Sequence, residues 1–179
     1  MRAVIVYESM YGNTHKVADA IASGLRDSAD VTVVPVTQVD EDTVRNADLL
    51  VVGGPTHVHG MTRPTSRKAA VDAATKPDSA LTVEPGEHEP GVREWLESLG
   101  ELRVPAAAFD TRIHGPGWLT GRASTRIARR LRRHGCTLAA RPESFLVTED
   151  SRLETGEEER ARRWGARLAQ TQSAPASVT

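Results

Sequence analysis

Short runs of apolar residues recur along the chain and predict buried β-strands. A run that is apolar at every position, rather than at every second one, is typical of a parallel strand covered on both faces. Pro35 lies inside the second run and favours the edge of the sheet, because proline has no amide to donate to a neighbouring strand. The predicted strands cover residues 3–7, 31–36, 48–53, 104–109 and 136–147, the last interrupted at Pro142.

The apolar residues between these runs are spaced by three or four positions, which predicts amphipathic helices. The predicted helices cover residues 13–26, 90–99 and 121–134, and a last helix opens at Thr155 with a capping-box pattern. Strands that alternate with helices build a parallel sheet with helices on both faces. The pattern therefore predicts one α/β domain over residues 1–170, with a doubly wound sheet of five strands. Residues 171–179 are small and polar, which predicts a flexible tail.

Residues 61–89 form a connection that is much longer than the usual link between a strand and a helix. Its first part, residues 63–74, predicts a helix with Pro64 in the first turn. The following residues, 75–90, contain three prolines and one glycine and predict a loop. Because the connection leaves the carboxyl end of a strand, we expect an insertion that lies beside the functional site and covers it.

Composition and charge exclude several classes of function. Lys and Arg number 23 against 24 Asp and Glu, so the net charge is -1, whereas proteins that bind nucleic acid or anionic membranes need a basic surplus. The single cysteine, Cys136, excludes an intramolecular disulfide and a multi-cysteine metal site. The first apolar run is too short for a signal peptide or a membrane span, and we expect a cytoplasmic protein. His57 and His59 are the only close pair among six histidines, so no metal site is expected.

The loop between the first strand and the first helix has the residues of an anion-binding site. Helix starts offer free amides and about half a positive charge, and the hydroxyls of Ser9 and Thr14 add hydrogen-bond donors. Gly12 lets the backbone approach a ligand closely. The loop has neither the GxxxxGK[ST] nor the GxGxxG pattern, so it is not a nucleoside-triphosphate or dinucleotide loop. Taken alone, the segment favours an ordinary N-cap turn over an anion-binding site.

Two loops together resemble those of the flavodoxin family. Residues 3–14, AVIVYESMYGNT, resemble its phosphate loop, in which an apolar strand precedes the pattern [ST]-x-[TY]-G-x-T. Residues 48–60, DLLVVGGPTHVHG, resemble its second flavin loop, in which a strand ends in Gly-x-Pro-Thr and a further glycine follows. The matching positions are Ser9, Tyr11, Gly12 and Thr14 in the first loop, and Gly53, Pro55, Thr56 and Gly60 in the second.

This resemblance implies a sheet with strand order 2-1-3-4-5 that binds FMN at its carboxyl edge, where open α/β sheets place their ligands. It also implies that the FMN phosphate lies on the first loop. The isoalloxazine ring would lie between the second loop and a third loop, residues 110–120, after the fourth strand. No catalytic residue is implied. The residues expected to bind the cofactor are Ser9, Met10, Tyr11, Gly12, Asn13, Thr14, Pro55, Thr56, His57, Val58, His59, Gly60, Asp110, Thr111, Arg112 and Trp118.

The chain also departs from the electron-shuttling members of that family, which usually hold the ring between aromatic residues and carry an acidic surplus. Here His57-Val58-His59 stands in the second loop, and the net charge is close to zero. Positive charge near the ring stabilises the negative charge that flavin gains on reduction. We therefore expect easier two-electron reduction, with Arg112 as the main cation. In the alternative arrangement, Arg112 points to solvent or pairs with Asp110.

The sequence leaves three functions open. The leading hypothesis is an FMN-binding redox protein that exchanges electrons with a partner protein or a small-molecule donor or acceptor. One alternative is an FMN-dependent oxidoreductase with an NAD(P)H- or porphyrinogen-type substrate, and another is a flavodoxin-fold binding module without cofactor. Arginines crowd the helix at residues 121–134, which predicts a solvated face or, alternatively, docking of an acidic partner or an anionic substrate.

Overall fold

A computed structural model describes residues 1–57, 60–75, 83, 90–115 and 120–173. Its strands are β1 (Arg2–Tyr7), β2 (Asp30–Pro35), β3 (Leu49–His57), β4 (Gly60–Met61), β5 (Pro105–Ile113), β6 (Thr137–Leu138) and β7 (Glu143–Val147). Its helices are α1 (Asn13–Leu25), α2 (Glu41–Arg45), α3 (Pro64–Ala74), α4 (Val92–Ser98), α5 (Ala123–Arg133) and α6 (Glu157–Ser173). Among these described helices, none combines the length and the apolar character that crossing a bilayer requires.

The strands form one sheet in the order β2-β1-β3-β5-β6, and these neighbours all pair in parallel. β7 also pairs in parallel with β5, beside residues 109–113, whereas β6 pairs with residues 105–106. The predicted fifth strand is therefore split into two short strands on the same side of β5, on either side of Pro142. The order confirms the doubly wound α/β fold, and β2 with its Pro35 lies at the sheet edge as expected.

Alternate residues of the central strands point into two separate cores, one on each face of the sheet. On one face, Val52 and Ala108 pack with Leu96 of α4 and with Ile127 and Leu131 of α5. Side chains of β1, β3 and β5 on the other face pack with Ile21 of α1 and Trp164 of α6. Because both faces are covered, the central strands are apolar throughout, as the sequence predicts.

Several elements differ from the prediction. β3 runs to His57 rather than Gly53, because β5 continues beside it as far as Pro55 and the last two residues of β3 pair with β4. α2 has only five residues, too few for a helical period to be visible, and Asp40 caps it by accepting from the amide of Thr43 at 3.0 Å. α6 includes residues 171–173, which composition assigns to the tail; residues 174–179 lie outside the described residues. The predicted helix at residues 63–74 is present as α3, with proline in its first turn.

Candidate functional site

The carboxyl ends of β1, β3 and β5 meet at one edge of the sheet. From β1 the chain crosses to β2 on one side and later returns to β3 on the other, so this edge holds a topological switch point. Loops that leave adjacent strands in opposite directions open a crevice at such a point, and open α/β sheets bind ligands there. The three loops singled out in the sequence all start at this edge.

The loop after β1 presents an uncapped helix start. Gly12, the N-cap of α1, has φ +82°, a left-handed conformation that favours glycine, and its amide donates to the hydroxyl of Ser9 at 3.1 Å. No side chain caps α1, and its first turn contains no acidic residue. Since the first amides of a helix have no partner within it, those of Asn13 and Thr14 suit an incoming anion.

Side chains of this loop also attach it to the rest of the fold. Thr14 is only 1% exposed, and its hydroxyl lies 2.8 Å from that of Thr111 on β5. The amide group of Asn13 donates to the carbonyl of Ser151 at 2.7 Å. The loop is thus held from two sides, and Thr14 shares its hydroxyl with a neighbouring strand.

Met10 and Tyr11, in the middle of this loop, contact the body of the domain. Met10 is buried, and the hydroxyl of Tyr11 donates to the carbonyl of Ala70 at 3.1 Å. Partial burial raises the pKa of the Tyr11 phenol, so it stays protonated and able to donate at neutral pH. The bond joins the loop after β1 directly to α3, within the long connection at residues 61–89.

The loop after β3 is a tight hairpin in which Thr56 faces Met61 and His57 faces Gly60. Thr56 accepts a hydrogen bond at 2.8 Å from the amide of Ala123, the first residue of α5. Burial lowers the pKa of the half-buried His57, which therefore favours the neutral ring at neutral pH. Pro55 lies on β3 before the hairpin, whereas Val58 and His59 lie outside the described residues.

On β5, Asp110 is fully buried and accepts a hydrogen bond at 2.7 Å from the amide of Ser124, in the first turn of α5. Burial raises the pKa of its carboxyl group, against the opposing effect of that hydrogen bond. Asp110 therefore holds the start of a helix at the site edge. Within the described residues, no group of three His, Cys, Asp or Glu side chains is placed to hold a metal ion.

Arg112 neither points to solvent nor pairs with Asp110, the two arrangements that the sequence leaves open as alternatives. It is buried, and its Nη1 donates to the carbonyls of Ile113 and Gly115, at 3.2 and 2.7 Å, and to the hydroxyl of Thr120 at 3.0 Å. These bonds join Arg112 to described residues on both sides of positions 116–119. Trp118, the other residue expected from this loop, lies outside the described residues.

A buried polar network around Glu8 is the feature that sequence reasoning missed. Glu8 follows β1 directly and accepts hydrogen bonds from the hydroxyl of Thr62 and, at 2.9 Å, from the amide of Val92 at the start of α4. Arg67 of α3 donates to Glu94 at 3.1 Å beside it. The sequence does contain a signal for this network: Glu8 directly follows an apolar strand, and a carboxylate buried there needs hydrogen-bond partners.

Comparison with known proteins identifies the fold. The flavodoxin family model matches residues 5–82, from β1 beyond the end of α3. Residues 5–82 are thus similar to the flavodoxin family, and the chain as a whole has the flavodoxin-like fold. A flavodoxin from the domain Archaea superposes with a TM-score of 0.66 at 22% identity, over 97% of this chain and 100% of that one. No curated protein sequence matches significantly.

Two further solved structures share the architecture. Oxidised flavodoxin 1 from Bacillus cereus superposes with a TM-score of 0.66 at 17% identity, over 95% of this chain and 98% of that one. A WrbA-like flavodoxin from Agrobacterium tumefaciens has a TM-score of 0.60 at 22% identity, over 96% of both chains. At these identities the superpositions establish the fold, and the assignment of individual residues depends on the site itself.

FMN is the cofactor of the flavodoxin family, and the described residues fit it. An uncapped helix start with no nearby carboxylate in its first turn suits a phosphate group. A Cβ built on Gly12 would project into open space beside this helix start. Because glycine has no side chain, that space stays available to the phosphate. The hairpin after β3 and the loop after β5 lie along the same edge, where the flavin ring would be held.

Proposed function

We propose that this flavodoxin-like protein is an electron carrier whose FMN phosphate is bound by Ser9, Gly12, Asn13 and Thr14. The observation that carries the proposal is the uncapped start of α1, held open by the bond from Gly12 to Ser9, at the switch point of the sheet. The bound FMN would supply the capacity to accept and release electrons. The protein's own residues hold the phosphate, position the ring and set the charge around it.

The ring would lie between the hairpin after β3 and the loop after β5. Three described residues on these elements support that placement: Pro55 and Thr56 on the hairpin side, and Thr111 on the β5 side, paired with Pro55 in the sheet. The bond from Ala123 to Thr56 fixes the hairpin to α5, and Arg112 fixes the loop after β5. We infer that both walls of the ring site are rigid before the cofactor binds, which lowers the entropy lost on binding.

The charge around the hairpin supports easier two-electron reduction of the flavin. Burial raises the pKa of the carboxyl groups of Asp110 and Glu8, which weakens their negative contribution. Arg63, Arg93 and Arg126 line a cavity beside the hairpin. Positive charge close to a reduced flavin stabilises the negative charge that it gains. In this arrangement the cationic contribution comes from the hairpin side, and Arg112 acts mainly on the shape of its loop.

A second candidate function is an FMN-dependent oxidoreductase that acts directly on a small molecule. The same arginines favour it, because an anionic substrate would find positive charge beside the hairpin. The two functions differ in what reduces the flavin: a carrier takes electrons from a partner protein, whereas an oxidoreductase takes them from its substrate.

The deciding experiment compares electron donors. The purified protein is loaded with FMN, and its visible flavin spectrum is recorded after removal of unbound cofactor. Reduction is then followed anaerobically with NADPH alone and with NADPH plus a flavodoxin reductase. A carrier is reduced at least tenfold faster when the reductase is present. Rapid reduction by NADPH alone would favour the oxidoreductase, and a protein that retains no FMN would contradict both functions.

A further inference from the structure

A small cavity lies behind the hairpin that follows β3, and basic residues dominate its walls. It has a volume of about 230 Å³ and lies between the hairpin, the first turn of α3, and the helices α4 and α5. His57, Arg63, Arg93 and Arg126 line it, and no acidic residue does. Four nitrogen-bearing side chains from four different elements thus converge on one concave space.

Arg93 is fixed in this cavity by the backbone. Its Nε donates to the carbonyl of Thr62 at 2.9 Å, and its Nη2 donates to that of Met61 at the same distance. Within the part of the chain that the structure describes, its Nη1 group has no protein acceptor. A guanidinium held rigidly by two bonds presents its remaining donors at little entropic cost when a ligand arrives.

Arg126 and Arg63 complete the basic wall. The guanidinium of Arg126 lies close to Gly60, since a Cβ built on that glycine would lie 2.9 Å from its Cζ. The side chain of Arg63, just before α3, faces the same space. In the described residues, neither side chain has a carboxylate within ion-pair distance.

The nearby carboxylates are engaged elsewhere. Glu94 accepts from Arg67 at 3.1 Å, and Glu97 accepts from Arg130 at 2.7 Å. Burial lowers the pKa of the Arg93 guanidinium and the positive charges of Arg130 and Arg63 lower it further, whereas the negative charges of Glu94 and Glu97 partly offset this effect. Like charges gathered in a partly buried space repel one another, and an anion bound between them would relieve that repulsion.

We propose that this cavity binds the oxyanion group, phosphate or carboxylate, of a small molecule. Rigid guanidinium groups suit such groups because they donate two parallel hydrogen bonds to two oxygens. The cavity is smaller than the roughly 300–1,000 Å³ of pockets that take a whole drug-sized ligand, so it suits an anionic end group. Its concave shape favours a small anion over the flatter surface of an acidic protein. His57 belongs both to this cavity and to the expected flavin site, so the rest of the ligand would extend towards the flavin.

The test is an NMR titration of the FMN-loaded protein with inorganic phosphate and, separately, with succinate, at constant ionic strength. Saturable shifts are expected at the amides of Gly60, Met61 and Thr65 and at the Nε of Arg93. Arg126→Gln should weaken the binding about tenfold, as expected for the loss of a charge-assisted contact. Arg129→Gln is the matched control, because this exposed residue of the same helix lies outside the cavity wall.

Several outcomes would overturn the proposal. Absence of saturable shifts at the cavity with either anion would do so, as would equal effects of Arg126→Gln and Arg129→Gln. Binding of polyglutamate without binding of phosphate or succinate would indicate an acidic protein surface instead. The flavin spectrum of each variant reports FMN binding separately, and phosphate shifts at residues 9–14 are resolved from those at the cavity. Failure of the cavity proposal is therefore distinguishable from failure of FMN binding.

Discussion

The hydroxyl of Thr14 has one neighbour in the protein and, in our proposal, a second in the cofactor. It lies 2.8 Å from the hydroxyl of Thr111, and either oxygen can be the donor. When Thr111 donates, the hydrogen of Thr14 is left for a phosphate oxygen. Thr14→Ala should then weaken FMN binding by about 1.5–3 kcal/mol, the usual contribution of a hydrogen bond to a charged group. Calorimetric titration measures it, and riboflavin, which lacks the phosphate, is the matched control. A similar loss of affinity for both ligands would contradict the assignment.

The buried carboxyl group of Glu8 predicts how the stability of the protein depends on pH. Burial raises the pKa of its carboxyl group above the ordinary value of 4.5, so the folded protein binds its proton more tightly than the unfolded chain. Stability should therefore fall as pH rises from about 4.5 through the raised pKa of the folded state. Glu8→Gln removes this titration, so the unfolding free energy of the variant, relative to the wild type, should increase with pH.

Urea unfolding between pH 4.5 and pH 8 measures this difference for Glu8→Gln. Glu149→Gln is the matched control, because Glu149 is exposed and makes none of these buried contacts. If both variants follow the pH dependence of the wild type in parallel, Glu8 titrates as it does in the unfolded chain, and the account of its burial is wrong.

The packing of α1 against α6 depends on two glycines. A Cβ built on Gly165 would overlap the carbonyl oxygen of Ile21, and one built on Gly24 would overlap that of Arg162. An exposed glycine-to-alanine change inside a helix normally stabilises it by up to about 1 kcal/mol. Gly165→Ala should instead lower the free energy of unfolding by about 1–3 kcal/mol, since the helices must move apart. Urea unfolding tests the sign, and a variant as stable as the wild type would contradict the close approach.

The helix α3 should respond to FMN, because the hydroxyl of Tyr11 binds the carbonyl of Ala70 in it. Ordering of residues 9–14 by the cofactor would be transmitted through this bond. We expect FMN to slow tryptic cleavage after the exposed Lys68 several-fold, measured by mass spectrometry over time. Tyr11→Phe should reduce this protection without moving the cleavage site. Equal cleavage rates with and without FMN would mean that the insertion does not cover the cofactor.

The sequence predicts the sheet and the long helices because their signals are local. Apolar runs mark β1, β2 and β5, and the proline at the start of α3 marks its first turn. The extension of β3 to Pro55 depends on pairing with β5, about fifty residues later, and no local pattern records it. The glycines between α1 and α6 escape prediction for the same reason. Element types follow from short-range periodicity, whereas close approaches follow from the tertiary arrangement.

The same distinction applies to the site. The motif around Gly12 and Thr14 identifies the loop after β1, because its residues are consecutive. The role of Arg112 could not be predicted, since its acceptors Gly115 and Thr120 become neighbours only when the following loop folds back. Likewise, the partners of Glu8 come from α4 and from the segment after β4.

At the scale of the whole molecule, near-zero net charge conceals an uneven distribution. The total is -1, yet the cavity behind the hairpin gathers arginines without an acidic residue in its wall. The buried carboxyl groups of Glu8 and Asp110 lie near the same edge, and each accepts a hydrogen bond from a helix start. In our proposals, the sheet edge near α1 holds the FMN phosphate, and the cavity behind the hairpin binds the oxyanion group of a small molecule.

The central claim is that the edge between β1 and β3 is an FMN site whose phosphate is bound by residues 9–14. Calorimetric titration of the purified protein with FMN, FAD and riboflavin tests it most directly. The account predicts one FMN per chain, with riboflavin at least tenfold weaker because it lacks the phosphate, and FAD weaker because the loop accepts a terminal phosphate. Equal affinities for FMN and riboflavin, or no binding of FMN, would contradict it.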